Sequence, residues 1–586
     1  MNEIIPMVSQ LITRLRRSIG QKNIQGYILP SKDEFQNEFA PDKANKLKSI
    51  TNFSGSNGLL VLLQDYGLFF TDGRYLEQAA KELDQNIFTI FDISLLKDFP
   101  WDKYLKKGHG QDGAQENVLG FDPLLFTKQS LKVFHNLQTR PITLSIWQDH
   151  QHKQSDIFVY LPEYSGQFAQ EKILQLKDRL RKGDDGEQNY LITDTSFICW
   201  LLNLRSRADS CIGMFDSYLI VSRGTIDLFA DIEISDEVAR YLSSLNVELH
   251  SSKEILAYLQ ASATKQFLVD ESTCSIAFLQ ELTDFKHDNF YKIWQACKSM
   301  KEIHYFQEAH ISDGVVLCEL FAWLETMPEV LEFDLSNKLI DLRKQQAGYL
   351  KESFPAICGY LENSSIIHYR ASSSASKKIA DSGILLIDTG GHYYGGTTDV
   401  TRTLFIGDQS SKPDEKIKHF YNLVLKGHIN LAMSKFKKGC SGQNLDILAR
   451  IPLWQDFVDY PHSTGHGVGN FLSVHEGPQG ISLFNNVPLK PGMVLSNEPG
   501  YYEQGKFGIR IENLMYVKES KVDGFLEFET LTLAPFDARL MDPSLLNQEQ
   551  SSWLRQYYAR LQDIIMPRLS DAAKQWLKRQ LCIINF

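Results

Sequence analysis

Apolar positions at the start of the chain follow helical spacing. Ile5, Val8, Leu11, Ile12 and Leu15 share one face, and Arg14, Arg16 and Arg17 fall on the polar side. MNEIIPMVSQLITRLRRSIG therefore predicts an ordinary first helix. Glu3 and the lack of a cleavage-like site argue against a transit peptide. The pattern then shortens. GYILP (26–30) and LLVLLQ (59–64) are compact apolar runs of the buried-strand kind, and LFFTDGRYLEQAAKELD passes from a strand through a Gly turn into a helix. GHGQDGAQEN (108–117) reads as a polar loop.

A second mixed unit begins near Ser155. EKILQLKDRLRK predicts a helix, GDDGEQN (183–189) a loop, and YLITD (190–194), SYLIVS (217–222) and TIDLFAD (225–231) strands. There is no low-complexity tract and no strong internal repeat, so two units of like fold would not show as such. From near Lys298, the helical pattern KEIHYFQEAHISDGVVLCELFAWLETM precedes an acidic helix and then a β-rich stretch. The tail after Pro543, SSWLRQYYARLQDIIMPRLSDAAKQWLKRQL, predicts one or two amphipathic helices that pack on their own domain or on a partner subunit. The expected domains are 1–155, 156–297 and 298–586, the last with a helical extension over about 543–586, in an α/β (α+β) class.

Composition narrows the picture only slightly. At 586 residues the chain is too long for one core. Lys+Arg at 61 against Asp+Glu at 72 gives a net charge of −11, mild for this length, which argues against nucleic acid as a partner. The eight cysteines are dispersed without a CxxC pair, the usage of a reduced cytoplasmic protein. No apolar run reaches the roughly 18 residues of a membrane span, so no membrane association is expected.

Five metal-ligand candidates fall in the last third: Asp388 in ILLIDTGG, Asp399 in GGTTDVTRT, His466 in HSTGHGVG, Glu498 in LSNEPGYY and Glu512 in GIRIENLM. ILLID is an apolar strand ending at Asp388, and the returning strand starts near Asp399, so one hairpin can bring both acids to one face. A second hairpin, VLSNEPGYY to IRIENLMYV, would set Glu498 beside Glu512. Four clustered carboxylates repel unless some stay protonated. Two divalent cations carry the matching charge, and that balance favours two metals over one. GHGVG lacks the strand-to-helix setting of a nucleotide loop. His368, His462 and His475 lie interleaved with the acids, and as a set they read as donors to a developing oxyanion. There is no G-x-S-x-G elbow and no Cys/His nucleophile pair; Cys358 reads as a packed small residue. The expected nucleophile is a water bridging the metals.

In these contexts the order Asp, Asp, His, Glu, Glu resembles the pita-bread metallopeptidases, and in particular the long three-domain Xaa-Pro aminopeptidases (aminopeptidase P). The resemblance extends to GYILPS (26–31), FSGSNG (53–58), Thr71 to Tyr75, WLLNLR (200–205), SFPAI…IIHY (353–369) and HEGP (475–478). It implies two creatinase-N-like α/β domains followed by a C-terminal pita-bread catalytic domain. It implies that Asp388, Asp399, His466, Glu498 and Glu512 hold two metals, usually manganese, with zinc, cobalt or iron able to bind similar sites. Asp399 and Glu512 would bridge the metals, and Glu498 would also shuttle a proton. His368, His462 and His475 would serve catalysis, and Arg74, His368, His466, His475 and Arg510 would contact substrate. A homodimer is implied by the resemblance alone. The chain departs from the family pattern at Ser206, in ADSCIGMF (208–215) and in CGYLENSSII before His368.

The expected reaction is hydrolysis of the bond between an N-terminal residue and a following proline. That tertiary amide carries no hydrogen, so a site needing an N–H from the scissile bond would fail. Tyr369, Tyr501 and the histidines would line the proline pocket. Only the trans bond should be cut, because the anchored amine fixes the path of the chain. At high enzyme, a burst followed by a phase of about tens of seconds is expected in product release, and a single fast phase to completion would refute it. The alternatives are an Xaa-Pro dipeptidase (prolidase), a methionine aminopeptidase, or a non-catalytic binding protein on the same fold.

Overall fold

The structure, a computed structural model, describes residues 4–41, 44–105, 118–147, 154–181, 188–208, 211–262, 264–408 and 410–584. The expected loop 108–117 and residues 183–187 of the expected loop 183–189 lie outside the described residues. The chain forms two compact units: Met1–Phe158, Ala169–Leu202 and Phe215–Asn289 make the first, and Val159–Phe168, Asn203–Met214 and Phe290–Phe586 make the second.

The first unit opens with α1 (Ile4–Gln21), which buries Ile12, Leu15 and Ile19 as its spacing predicts. It carries two six-stranded sheets. One is built from β1 (Gly26–Pro30), β2 (Leu59–Leu63), β3 (Gly67–Thr71), β4 (Phe88–Asp92), β5 (Val118–Phe121) and β6 (Gln138–Pro141), in the order β4-β3-β2-β1-β5-β6. The other uses β7 (Gln188–Ile192), β8 (Tyr218–Val221), β9 (Ile226–Phe229), β10 (Val247–His250), β11 (Gln266–Val269) and β12 (Asp284–His287), in the order β10-β9-β8-β7-β11-β12. In both, the first strand pairs antiparallel with the second and parallel with the fifth. The second pairs antiparallel with the third, and the outer pairs are parallel. The two sheets thus share one topology without a sequence repeat. Backbone ladders fix strand order, and many different apolar side chains satisfy the same buried positions.

In the second unit, α2 (Met300–Thr326) starts at a capping box of Ser299 and Glu302, and α3 (Glu332–Arg343) is the expected acidic helix. Strands β13 (Ile357–Tyr360), β14 (Gly383–Thr389) and β15 (Val400–Ile406) form one sheet in that order. A second sheet holds β16 (Lys435–Lys437), and the short β17 (Gly465–His466) lies outside it. Then follow β18 (Val494–Asn497), β19 (Gly500–Glu503), β20 (Phe507–Arg510), β21 (Asn513–Glu519) and β22 (Phe525–Thr530). The second sheet runs β16-β22-β21-β18. The tail forms two helices, α4 (Gln548–Arg560) and α5 (Asp571–Ile584). Leu554, Tyr557, Trp576 and Leu577 enter the same core as Phe321 of α2, and the Phe321 and Trp576 rings lie 5.5 Å apart. The tail therefore spends its apolar stripe on its own unit. All eight cysteines are free. No helix among the described residues is long and apolar enough to cross a membrane.

Candidate metal centre

The first two acids are placed by one hairpin. β14 and β15 pair antiparallel, setting Asp388 across from Thr401, with Asp399 immediately before β15. Gly390 permits the tight turn, since a Cβ there would fall 2.0 Å from the Thr398 carbonyl oxygen. The second pair comes from an interrupted hairpin. β18 pairs with β21 at Asn497↔Asn513, and β19 pairs with β20 at Gly500↔Arg510. Both ladders keep one register, so Glu498 and Glu512 face each other in the gap between them. There the backbone bonds leave the hairpin: Glu512 N donates to Thr401 O at 3.1 Å and Glu498 N to Thr464 O at 2.7 Å. The first of these ties the two acid-bearing hairpins together.

His466 is brought in by close backbone approach. A Cβ on Gly465 would lie 2.0 Å from Ser496 O, and His466 N donates to Ser496 Oγ at 2.9 Å. Its Nδ1 lies 3.0 Å from Gly467 O, which can only accept, so Nδ1 carries the proton and Nε2 offers a lone pair. That nitrogen lies 3.4 Å from Asp399 Oδ2 and 3.7 Å from Glu498 Oε1. Ligand atoms of Asp399, His466 and Glu512 all lie within 4.8 Å of one another. Nδ1 is thus committed to the backbone, and the Nε2 lone pair faces the acids.

The acids are costly together. Burial, then Asp388 and Glu498, pushes the Asp399 carboxyl well above the carboxylate range, and burial, then Asp399 and Asp388, does the same to Glu512. Burial and the Glu512 charge raise Glu498 to about 8. Asp388 Oδ1 is buried with no hydrogen-bond partner. A buried orphan oxygen beside three further carboxylates and one imidazole lone pair fits hard divalent cations. In the first unit Asp227, Glu248 and His250 also converge, but there the Asp227 carboxylate is already bonded to Thr225, Tyr258 and His250.

Arg510, expected to contact substrate, is 1 % exposed and makes four hydrogen bonds within the protein. Nη2 donates to Asp388 Oδ2 at 2.7 Å and to Ile367 O at 3.3 Å, Nε to Thr401 Oγ1 at 3.2 Å and Nη1 to Tyr502 Oη at 2.7 Å. Thr401 in turn donates to Glu512 Oε2 at 2.8 Å. Arg510 therefore orients the acids. It also alters the charge balance read from sequence, because its guanidinium adds one positive charge beside the four carboxylates.

The proline-pocket reading changes as well. The Tyr501 ring stacks on Phe420 at 3.7 Å and belongs to the core. Tyr502, on the opposite face of the strand, reaches the site and bridges Arg510 to His462 Nε2 at 2.9 Å. Counting alternation back from Arg510 through the hairpin would have chosen Tyr502. The Nδ1 of His462 lies 2.8 Å from Ser463 O, so both of its ring nitrogens are bonded within the protein. The His475 ring stands edge-on to His466 at 4.4 Å. Its neighbour Glu476 is fixed by a buried pair with Lys298 at 2.6 Å. His368 follows Ile367, whose carbonyl Arg510 holds. Tyr369 donates from Oη to Glu332 at 2.8 Å. Arg74 lies in the first unit, where it pairs with Asp72 at 2.8 Å.

Sequence reasoning missed the groups behind the acids. Arg402 donates to Thr401 O, Glu512 O and Asn513 Oδ1, and Asn513 Nδ2 meets His428 Nε2 at 3.1 Å. His428 Nδ1 lies 3.1 Å from Asn497 O. This chain grips the Asn497–Asn513 pair beside Glu498 and Glu512. No local pattern in the sequence connects residues so far apart.

Two acid-bearing hairpins and a glycine-flanked histidine, converging in this way, define a metallopeptidase-type centre. The chain belongs to metallopeptidase family M24, whose model matches residues 304–519, with the C-terminal region of that family over 524–582. Models of the creatinase/prolidase N-terminal domain match 12–141 and 148–303. A probable Xaa-Pro aminopeptidase P of Laccaria bicolor is 33% identical, over 98% of this chain and 93% of its own length. An X-prolyl aminopeptidase from Caenorhabditis elegans, described as a cytosolic enzyme with a di-nuclear active site, shares 29% identity and 99% of each chain at a TM-score of 0.89. An Xaa-Pro dipeptidase from Bacillus anthracis covers 63% of this chain and 98% of its own, with 24% identity and a TM-score of 0.51, and shares the fold alone.

Proposed function

We propose that this protein removes the N-terminal residue from peptides whose second residue is proline. The observation that carries this reading is the convergence of the five candidate ligands in a chain that matches Xaa-Pro aminopeptidases over nearly its full length. Asp388, Asp399, His466, Glu498 and Glu512 would hold two divalent cations. Bound cations supply a water acidified to near neutrality and Lewis-acid polarisation of the scissile carbonyl.

The remaining work falls to side chains. Glu498 is assigned the role of taking a proton and passing it to the departing proline nitrogen. His368 and His475 donate to the carbonyl oxygen as charge develops there. His462 holds Tyr502 in the chain that runs through Arg510 to Asp388.

The oxygen-rich donors favour manganese. A cytoplasmic location accords with the free cysteines. A homodimer is proposed by analogy, to be checked by sedimentation. The chain would divide near residues 155 and 297 into two creatinase-type domains and the catalytic domain.

The test is release of the first residue from an Arg-Pro-Pro peptide. Chelator should abolish it and manganese restore it, and Xaa-Pro-Yaa tripeptides should be cut far faster than Xaa-Pro dipeptides. Cleavage confined to dipeptides would replace this reading with the dipeptidase.

A further inference from the structure

The loop that carries His368 is held by a buried acid with no part in the chemistry above. Glu332 opens α3 and is fully buried, and among the described residues no cation pairs with it. Its oxygens instead collect donors from both ends of segment 360–377. Oε1 accepts from Tyr360 N at 2.7 Å and Asn363 Nδ2 at 3.0 Å. Oε2 accepts from Lys377 N at 2.7 Å, Tyr369 Oη at 2.8 Å and Asn363 Nδ2 at 3.2 Å. On the other side of His368, the Ile367 carbonyl accepts from Arg510, the guanidinium that also holds Asp388. His368 is thus flanked by two anchors, one reaching Glu332 and the other the metal-binding acids.

The stretch in which this chain departs from the family pattern supplies the fittings. In CGYLENSSII, Asn363 donates to Glu332. Ser364 Oγ accepts from Gly508 N at 2.7 Å and Ser365 Oγ from Gly505 N at 3.2 Å, which seats the loop on the hairpin that ends in Arg510. A buried carboxylate without a counter-ion is costly unless its hydrogen bonds are complete. Here they are complete, and what they hold is the chain around His368.

We propose that Glu332 is a positioning residue of the peptidase reaction, acting through His368. This rests on the reading of His368 as a substrate contact given above. Glu332→Gln turns one acceptor into a donor that faces other donors. It should lower kcat/KM about tenfold, chiefly in kcat, with metal content unchanged. In a His368→Ala background the same substitution should cost nothing further. Tyr369→Phe removes a single bond, should show a smaller loss in the same pattern, and serves if the Gln variant does not fold. If His368→Ala alone keeps wild-type kcat/KM, both the reading of His368 and the proposal fall. If His368→Ala is impaired but the Glu332 or Tyr369 loss adds to it, or appears only as a lowered Tm, the reading of His368 stands and the proposal is overturned.

Discussion

Replacing Asp399 or Glu512 by alanine is expected to abolish peptide cleavage, by about a thousandfold or more in kcat, and to lower bound metal in parallel. Both acids are buried, lie within ligand range of His466 and of each other, and are raised first by burial and then by their neighbours' charge. Removing either takes one anionic donor from the cation site and leaves the rest misbalanced. In the metal-bound state that costs several kcal/mol, roughly the penalty for breaking a buried ion pair. Metal analysis and steady-state kinetics on the same preparation check the pairing of the two losses. Turnover at the wild-type rate in either variant would rule out the ligand set.

The metal-free protein should lose stability as pH rises, and the metal-loaded protein should not. Glu498 titrates at about 8 in the folded, metal-free chain, against a usual carboxyl value of about 4.3 when unfolded. Because the folded value is the higher one, the folded state holds a proton that the unfolded state has released. The stabilisation is full below the unfolded value and is lost as pH climbs through the folded one, at about 1.4 kcal/mol per pH unit for each such proton. Asp399 and Glu512 are raised too and act in the same direction. Burial holds His310, His392 and His428 well below the usual imidazole value, so they favour folding as pH rises toward about 6.5 and mask the effect there. Tm measured with chelator should therefore fall between roughly pH 6.5 and 8.5, and saturating manganese should remove that slope. Cation uptake at pH 7 should also release protons, read by calorimetry in buffers of different ionisation enthalpy. A flat or rising chelator curve between roughly pH 6.5 and 8.5 would mean that the acids do not share one buried site.

Much of the site was legible because its ligands sit at chain positions with strong local signatures. Asp388 ends an apolar strand before a Gly pair, and His466 lies among glycines whose missing side chains let the backbones touch. Phase and partnership were harder to read. Tyr501 was expected to line the pocket, but its ring stacks on Phe420 in the core, and it is Tyr502, in phase with Arg510 across the hairpin, that meets the arginine. Arg510 was expected among the substrate contacts, and nothing local shows that Asp388, more than a hundred residues earlier, lies 2.7 Å from it. The charge balance read from the acids alone was incomplete for the same reason. The shared topology of the two N-terminal sheets left no trace in residue identity, because burial constrains hydrophobicity and size far more loosely than it constrains strand order.

By itself, the sequence determined which residues could bind metal, the helices and strands that bear them, and the family to which their order points. These are local properties, written in spacing and turn chemistry. Only the tertiary structure decided which donors meet, which arginine neutralises which acid, and how Glu332 and His428 brace the loop and strands around the ligands. Those contacts join segments separated by long stretches of chain. Their energies depend on burial and distance, which exist only once the chain is folded.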